Sequence, residues 1–531
     1  MNLLKDAWVP VQRQGKRQMI RLQDVLYGDE EWQLSLPRDD MEMASLQLMI
    51  CLTQVIFTPE DARALKQRIR QPLTENEYQD GVANYLDWFE LNHPETPFMQ
   101  VRGVKAADAT PIQKLFVGLP EGKNHAFFND AGEITAVSES AAAIALFNQA
   151  MNSPSMGGGF KGGFRGGAPI TTLISGETLR QSVWFNVLHE DSLREIMPRY
   201  DHLKENDKPT WVEPIKARSS IAAHDIGLLR GLFWQPAHIE LDFTDAGQCQ
   251  FYGTDEAVLV TSFKKEKFGG KSSGGFDLVG MWVHPHSPRH WQIRNGGTKE
   301  ERYESFRTTA PAWSQLTMFI LDKIGQEEGY QTASAIRQFK RVFPNKQANL
   351  LVGGYRADKA AIRQRRHELL PLKEGWTEHS SELSQVIDVA LNIKQQLIKS
   401  LCLFGILAGA AKRNRRKNKA ITPDGVLKYK ECIEEYPYKN FEEFFDGIHM
   451  KAEPQFYHSS EHLIHKALRQ LDWRHSLQER QKLAGELMKI SWNAFNQATK
   501  PYQHEPKMIH ALAVAKRSMN TGFNKIKGGL V

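Results

Sequence analysis

The chain has 531 residues, 41% hydrophobic and 24% charged, with a net charge of +6. That length exceeds one simple core and suits two or three domains, and the composition is that of an ordinary globular protein rather than a disordered or fibrous one. Four cysteines, Cys51, Cys249, Cys402 and Cys432, lie far apart with no C-x-x-C pair; the spacing excludes a zinc framework and a small disulfide scaffold and makes a reducing cytoplasm the expected location.

The first eighteen residues lack the apolar stretch of a signal peptide. Trp8-Val9-Pro10 and Met19–Leu22 read as short strands. Asp39 and Asp40 stand before a long apolar-periodic stretch, Met41 to Phe57, as capping residues stand before a helix. Alternation returns at Ala257–Ser262 and Leu278–Val283, two short strand candidates on either side of a Lys- and Gly-rich loop. From Glu382 onward the pattern becomes helical. Leu383, Val386, Ile387, Ala390, Leu391, Leu397, Ile398 and Leu401 form one apolar stripe. Three more follow, around Leu463–Leu471, Leu483–Ala494 and Met508–Ile526, and four such stripes bury one another only as a bundle. The expected fold is therefore α+β, with a large mixed α/β domain over 1–374 and a C-terminal four-helix bundle over 375–531.

Between the first two bundle helices, the basic run Lys412–Lys419 and the acidic-aromatic stretch Glu431–Phe445 read as an interruption. The apolar run Leu401–Ala411 is about half the roughly 20 residues that span a bilayer and reads as a buried helix. From Gly375 onward there are 24 Lys+Arg against 16 Asp+Glu, a balance of +8 that leaves residues 1–374 at −2. A positive C-terminal third suits a phosphate backbone, or is simply a soluble basic helical domain.

Catalytic motifs fail one by one. Gly270-Lys271-Ser272 has the tail of a phosphate-binding loop, but Lys265 stands where its first glycine belongs. Gly270–Gly274 matches the hydrolase elbow G-x-S-x-G without a convincing helix after it. His284, His286 and His290 look like metal ligands, yet no carboxylate or cysteine lies at the usual spacing; Pro285 and Pro288 favour a rigid turn with structural histidines. No catalytic residue, metal or cofactor is expected.

Three loops remain. Met156–Gly167 reads Met-Gly-Gly-Gly-Phe-Lys-Gly-Gly-Phe-Arg-Gly-Gly. Its glycines permit close backbone approach, and Phe160, Lys161, Phe164 and Arg165 suit a polyanion with stackable bases, though a bland linker reads the same way. Lys264–Lys271 is a lysine cluster of the kind found at solvated hairpin tips. Gly353-Gly354-Tyr355-Arg356 reads as a tight turn.

At these loops a resemblance becomes specific. The tracts MNLL, LSLPRDDMEMA, NHPETPFMQVRGVKA, ALFNQA, GGGFKGGFRGG, IGLLRGLFWQPAHIEL, KEKF, HPHSP and GGYR, with P-Y-x-H-x-P-K at Pro501–Lys507, occur in this order along nearly the whole chain. In this the chain resembles the large subunit of type I-E CRISPR Cascade complexes (the CasA family). The resemblance implies a cytoplasmic, non-catalytic DNA-reading subunit. Such a subunit inspects duplex DNA for the protospacer-adjacent motif (PAM) and licenses recruitment of a helicase-nuclease. The implied partners are the backbone, guide-handle-binding and small subunits, the guide RNA and the target duplex. By motif position the glycine loop is Gly158 flanked by Gly157 and Gly159, the lysine finger is Lys267, and the strand-separating wedge falls on Lys359 and Ala360. The wedge departs from the pattern, since Lys359 stands where glutamine is usual. Phe127 matches an aromatic that contacts the guide handle, and is otherwise a core phenylalanine. Lys412, Arg413, Arg415 and Arg416 are candidate contacts for the displaced strand, or a solvated helix end. A second function remains open, an assembly scaffold that anchors the guide's 5′ end with little part in PAM choice.

Overall fold

The computed structural model describes residues 1–106, 108–119, 132–216, 219–267, 276–294, 297, 299–413 and 438–530, apart from the side chains of 409–413, 438–446 and 507. The chain divides into two compact units, Met1–Thr308 with Met318–Leu370, and Thr309–Thr317 with Pro371–Val531. The division falls slightly ahead of the expected boundary at Gly375. It also assigns a short segment upstream to the helical unit, because Trp313 is fully buried there with its ring edge-on to Tyr457 at 5.7 Å.

In the first unit, Val9–Arg13 and Lys16–Ile20 are the two strands expected near the N-terminus, with the second lying a little earlier than its apolar residues indicated, and they pair as an antiparallel hairpin. The helix Asp39–Ile56 begins one residue after its N-cap, Arg38, so Asp39 and Asp40 lie inside its first turn rather than before it. There their charge complements the positive end of the helix dipole. This helix and a second, Glu139–Met151, are buried nearly all round, as their apolar composition requires, and pack against each other.

Two sheets matter for the site. His238–Thr244 pairs antiparallel with Leu259–Glu266, through a bulge between Val260 and Ser262. The latter strand runs further than its apolar alternation indicated, so Lys264 and Lys265 are strand residues rather than loop residues. The second candidate strand is only Asp277–Val279, paired in parallel with Ser220–Ala222. The other sheet has Ala348–Asp358 at its centre, between Ala361–Leu372 and Thr171–Ser175.

Among the described residues of the second unit, four long helices, Ser380–Arg413, Tyr438–Gln470, Ser476–Thr499 and Pro506–Gly528, pack on one another. The buried stripes include Leu383, Ile387, Leu401, Leu468, Leu487 and Met519. The second helix begins well before its expected stripe and takes in Tyr438–Phe445, the end of the supposed interruption. Pro454 sits in its interior, where it removes one i→i−4 hydrogen bond. No described helix is long and apolar enough to cross a membrane.

Candidate nucleic-acid interface

The pair Gly353-Gly354 does not make a turn. Both glycines lie inside the eleven-residue strand Ala348–Asp358, and the chain reverses later, at Lys359–Ala360. The glycines serve close approach instead. A Cβ on Gly353 would strike Met43 Sδ at 2.1 Å, and one on Gly354, whose φ is +148°, would lie 2.8 Å from the Pro169 carbonyl oxygen. At the exposed hairpin tip Lys359 holds a positive φ of +55°, a strained conformation for a side chain with a Cβ.

The strand Thr171–Ser175 pairs with this hairpin in the register Gly353↔Thr171 to Asn349↔Ser175. It directly follows the glycine loop, so backbone pairing ties that loop to the hairpin. In the loop, Gly157, Gly158 and Gly159 have φ of +76°, +57° and +83°, a run only glycine sustains cheaply. The turn closes with the Phe160 amide donating to the Gly157 carbonyl at 3.0 Å. Gly158, Gly159 and Lys161 are exposed.

Not every polyanion candidate in the loop faces outward. Phe164 stacks against the buried Trp234 at 3.8 Å between ring centroids. Arg165 is buried, donating to Thr171 Oγ1 (2.8 Å), Ser287 Oγ (2.7 Å), Met151 O (2.8 Å) and Asn152 Oδ1 (2.5 Å). Burial lowers its guanidinium to about 10. These two residues anchor the loop, Phe164 by packing on Trp234 and Arg165 by its four hydrogen bonds.

Lys267 follows the end of its strand, and its ammonium lies 5.6 Å from the Phe160 ring centroid, with Lys265 on the same ring at 5.8 Å. A Cβ on Gly159 would lie 3.0 Å from Lys267 Nζ, and one on Gly157 would lie 3.9 Å from Ala360 Cβ. Residues 157–159, 267 and 359–360, distant in sequence, thus share one rim, on which Gly158, Gly159, Lys359 and Ala360 are exposed and Gly157 and Lys267 half-buried. Phe160, half-buried, is the platform on which the lysine head rests through a cation–π attraction of about 0.5–1 kcal/mol.

Beneath this rim runs a buried polar relay that sequence reasoning did not single out. Arg38 donates to both Asp40 oxygens at 2.9 and 2.7 Å, and the Tyr355 hydroxyl donates to Asp40 Oδ2 at 2.8 Å. Asn148 Nδ2 donates to the Tyr355 oxygen at 2.8 Å, and Asn152 Nδ2 donates to Asn148 Oδ1 at 3.0 Å. Asn152 Oδ1 then accepts from Arg165. Burial foremost, then Asp40, pushes the Tyr355 phenol well above its ordinary value. The bonds to Arg38 and Tyr355 hold Asp40 below its ordinary value against desolvation. Members of the relay sit in four of the tracts quoted above, but nothing in those strings marks them as partners.

The histidines of His284-Pro285-His286 are buried, and desolvation lowers both, His286 to about 3. His284 Nδ1 accepts from the His286 amide at 3.1 Å, while His290 pairs with Glu304 at 2.5 Å. Among the described residues no group of three or more His, Cys, Asp or Glu side chains is arranged to hold a metal. Phe127, Arg415, Arg416 and the Gly270–Gly274 motif lie outside the described residues; Lys412 and Arg413 end the helix Ser380–Arg413.

The family model for the CRISPR-associated protein Cse1 matches residues 2–495. A curated CasA/Cse1 protein of Thermus thermophilus is 24% identical over 229 residues, which cover 40% of this chain and 42% of that protein. The alignment therefore spans less than half of that relative's length. The Cse1 crystal structure from Acidimicrobium ferrooxidans superposes with a TM-score of 0.69 at 16% identity, over 100% of this chain and 99% of that one. A chain of a structure described as a CRISPR RNA-guided surveillance complex gives 0.65 at 13% identity, over 98% and 99%. At these identities the two structures establish the shared fold.

Proposed function

The chain belongs to the CRISPR-associated Cse1 family, and from that premise we propose that it is the non-catalytic large subunit of a type I-E RNA-guided surveillance complex, the subunit that reads the PAM. The observation carrying this reading is the convergence of three sequence-distant loops, Gly157–Gly159, Lys267 and Lys359–Ala360, on one partly exposed rim. A narrow backbone turn without side chains enters a minor groove where a Cβ would not. Beside it Lys267 donates to groove acceptors, whose pattern is degenerate, so tolerant PAM choice follows. The hairpin tip inserts below the PAM as a wedge. Unstacking a step costs a few kcal/mol, offset by protein contacts and by the guide–target heteroduplex. Lys359 blocks the stack and reaches a phosphate, but offers no amide acceptor. Guide RNA, the other complex subunits and a helicase-nuclease recruited after target binding are the proposed partners, and the cytoplasm the proposed location.

The test is binding of the reconstituted guide complex, with and without this chain, to duplexes differing only in the three PAM base pairs, at two salt concentrations. The expected result is a PAM preference above about 1–3 kcal/mol that Lys267→Ala removes. Equal gains for every PAM, falling steeply with salt, would instead make the chain an assembly scaffold.

A further inference from the structure

We infer that Tyr355, Asn148 and Asn152 are positioning residues, whose buried hydrogen bonds set the glycine loop and the hairpin tip at one fixed spacing on the rim. This rests on the PAM-reading role proposed above and names the device that makes three loops act as one surface.

The glycine loop has two roots. One leaves the helix Glu139–Met151 at Asn152, and the other enters the strand at Thr171. Arg165 clasps both, through Met151 O and Asn152 Oδ1 on one side and Thr171 Oγ1 on the other. The second root is tied to the hairpin by strand pairing, Gly353↔Thr171. The first root has no such ladder. Arg165 and a 3.3 Å bond from Thr171 Oγ1 to Asn152 Oδ1 link it to the hairpin by way of that ladder, and its direct polar tie is the relay Asn152–Asn148–Tyr355, with Asp40 and Arg38 behind it. Tyr355 stands four residues before Lys359, about 13 Å along a strand, so a slip at its hydroxyl displaces the tip.

Apolar packing alone would leave that spacing soft, because hydrophobic contacts are non-directional. A buried, partner-matched relay has directional bonds and few alternative arrangements, so it holds one spacing. Every residue of the relay is buried, so none touches a bound duplex directly. The effect of the relay on recognition must therefore pass through geometry.

The experiment compares Tyr355→Phe, which removes one oxygen, and Asn148→Ala with Lys267→Ala, all in the reconstituted complex. For Tyr355→Phe the expected result is a five- to tenfold fall in the affinity ratio between PAM-matched and PAM-less duplexes. Affinity for the PAM-less duplex should stay within twofold. Deuterium exchange of the isolated chain should speed up about tenfold at the amides of 156–163. An unchanged ratio, an equal loss for both duplexes, or failure of both relay variants to assemble would overturn the inference and reduce the relay to a folding element. Lys267→Ala separates the two levels. If it keeps the wild-type ratio, the PAM-reading role itself fails; if it abolishes the ratio while Tyr355→Phe does not, only the positioning role fails.

Discussion

Gly354→Ala is a demanding test of the hairpin's architecture. Gly354 has φ of +148°, and an added Cβ would stand 2.8 Å from the Pro169 carbonyl oxygen. The backbone term alone is about 1–3 kcal/mol for a side chain in a glycine-only region. The oxygen cannot retreat freely, since Pro169 bridges to Ser305 and the adjacent Ile170 amide donates to the Glu304 carbonyl at 2.7 Å. Overpacking against such a fixed neighbour adds about 1–3 kcal/mol. Gly158→Ala supplies the reference, because Gly158 has φ of +57° with nothing within 4 Å of its Cβ position and carries only the left-handed cost, about 1–2 kcal/mol. Urea denaturation followed by tryptophan fluorescence should place Gly354→Ala below Gly158→Ala by about 1 kcal/mol or more, at unchanged slope. Equal midpoints would mean that the Pro169 carbonyl does not confine Gly354, and the account of Gly353-Gly354 as close-approach glycines would be wrong.

The remaining expectations concern charge and the rim. His286 has a folded value near 3, below the ordinary 6.5, so the unfolded chain takes up its proton first. Its stabilising contribution is complete above about pH 6.5 and declines by about 1.4 kcal/mol per unit as pH falls; the buried His284, lowered likewise, adds a slope of its own, so His286→Gln should make the loss of stability between pH 7 and 5, read from denaturation midpoints, shallower without abolishing it. Asp40→Asn strips the buried Arg38 of its counter-charge and should cost about 3–5 kcal/mol in chemical denaturation, whereas a cost under about 1 kcal/mol would mean that Arg38 finds solvent. Gly159→Ala would press its methyl to 3.0 Å from Lys267 Nζ and displace the ammonium. In the guide complex it should weaken PAM-matched binding more than Gly158→Ala does, and equal effects would place Lys267 elsewhere during recognition.

Local chemistry made some of this protein legible from its residues alone. The helical unit announced itself because amphipathic stripes such as Leu383–Leu401 encode one buried face at a period that needs no partner to recognise. The two N-terminal strands, though not their pairing, and the helix after Arg38 were readable for similar reasons, and the Cse1 relationship was carried by long runs of rare residues. What the linear string withheld depends on distance in space. Gly353-Gly354 read as a turn because glycine pairs commonly make turns, and only packing revealed that Met43 and Pro169 crowd them. Arg165 read as a surface cation because nothing local marks the four oxygens, in Met151, Asn152, Thr171 and Ser287, that receive it when the chain folds. Thr309–Thr317 carries no stripe of its own, and a fully buried Trp313 assigned it to the helices. Side-chain types thus determined which groups needed hydrogen-bond partners or burial. The tertiary structure alone decided which ones met, because the bonds of the Arg38–Asp40–Tyr355–Asn148–Asn152–Arg165 relay span up to 315 positions of sequence separation.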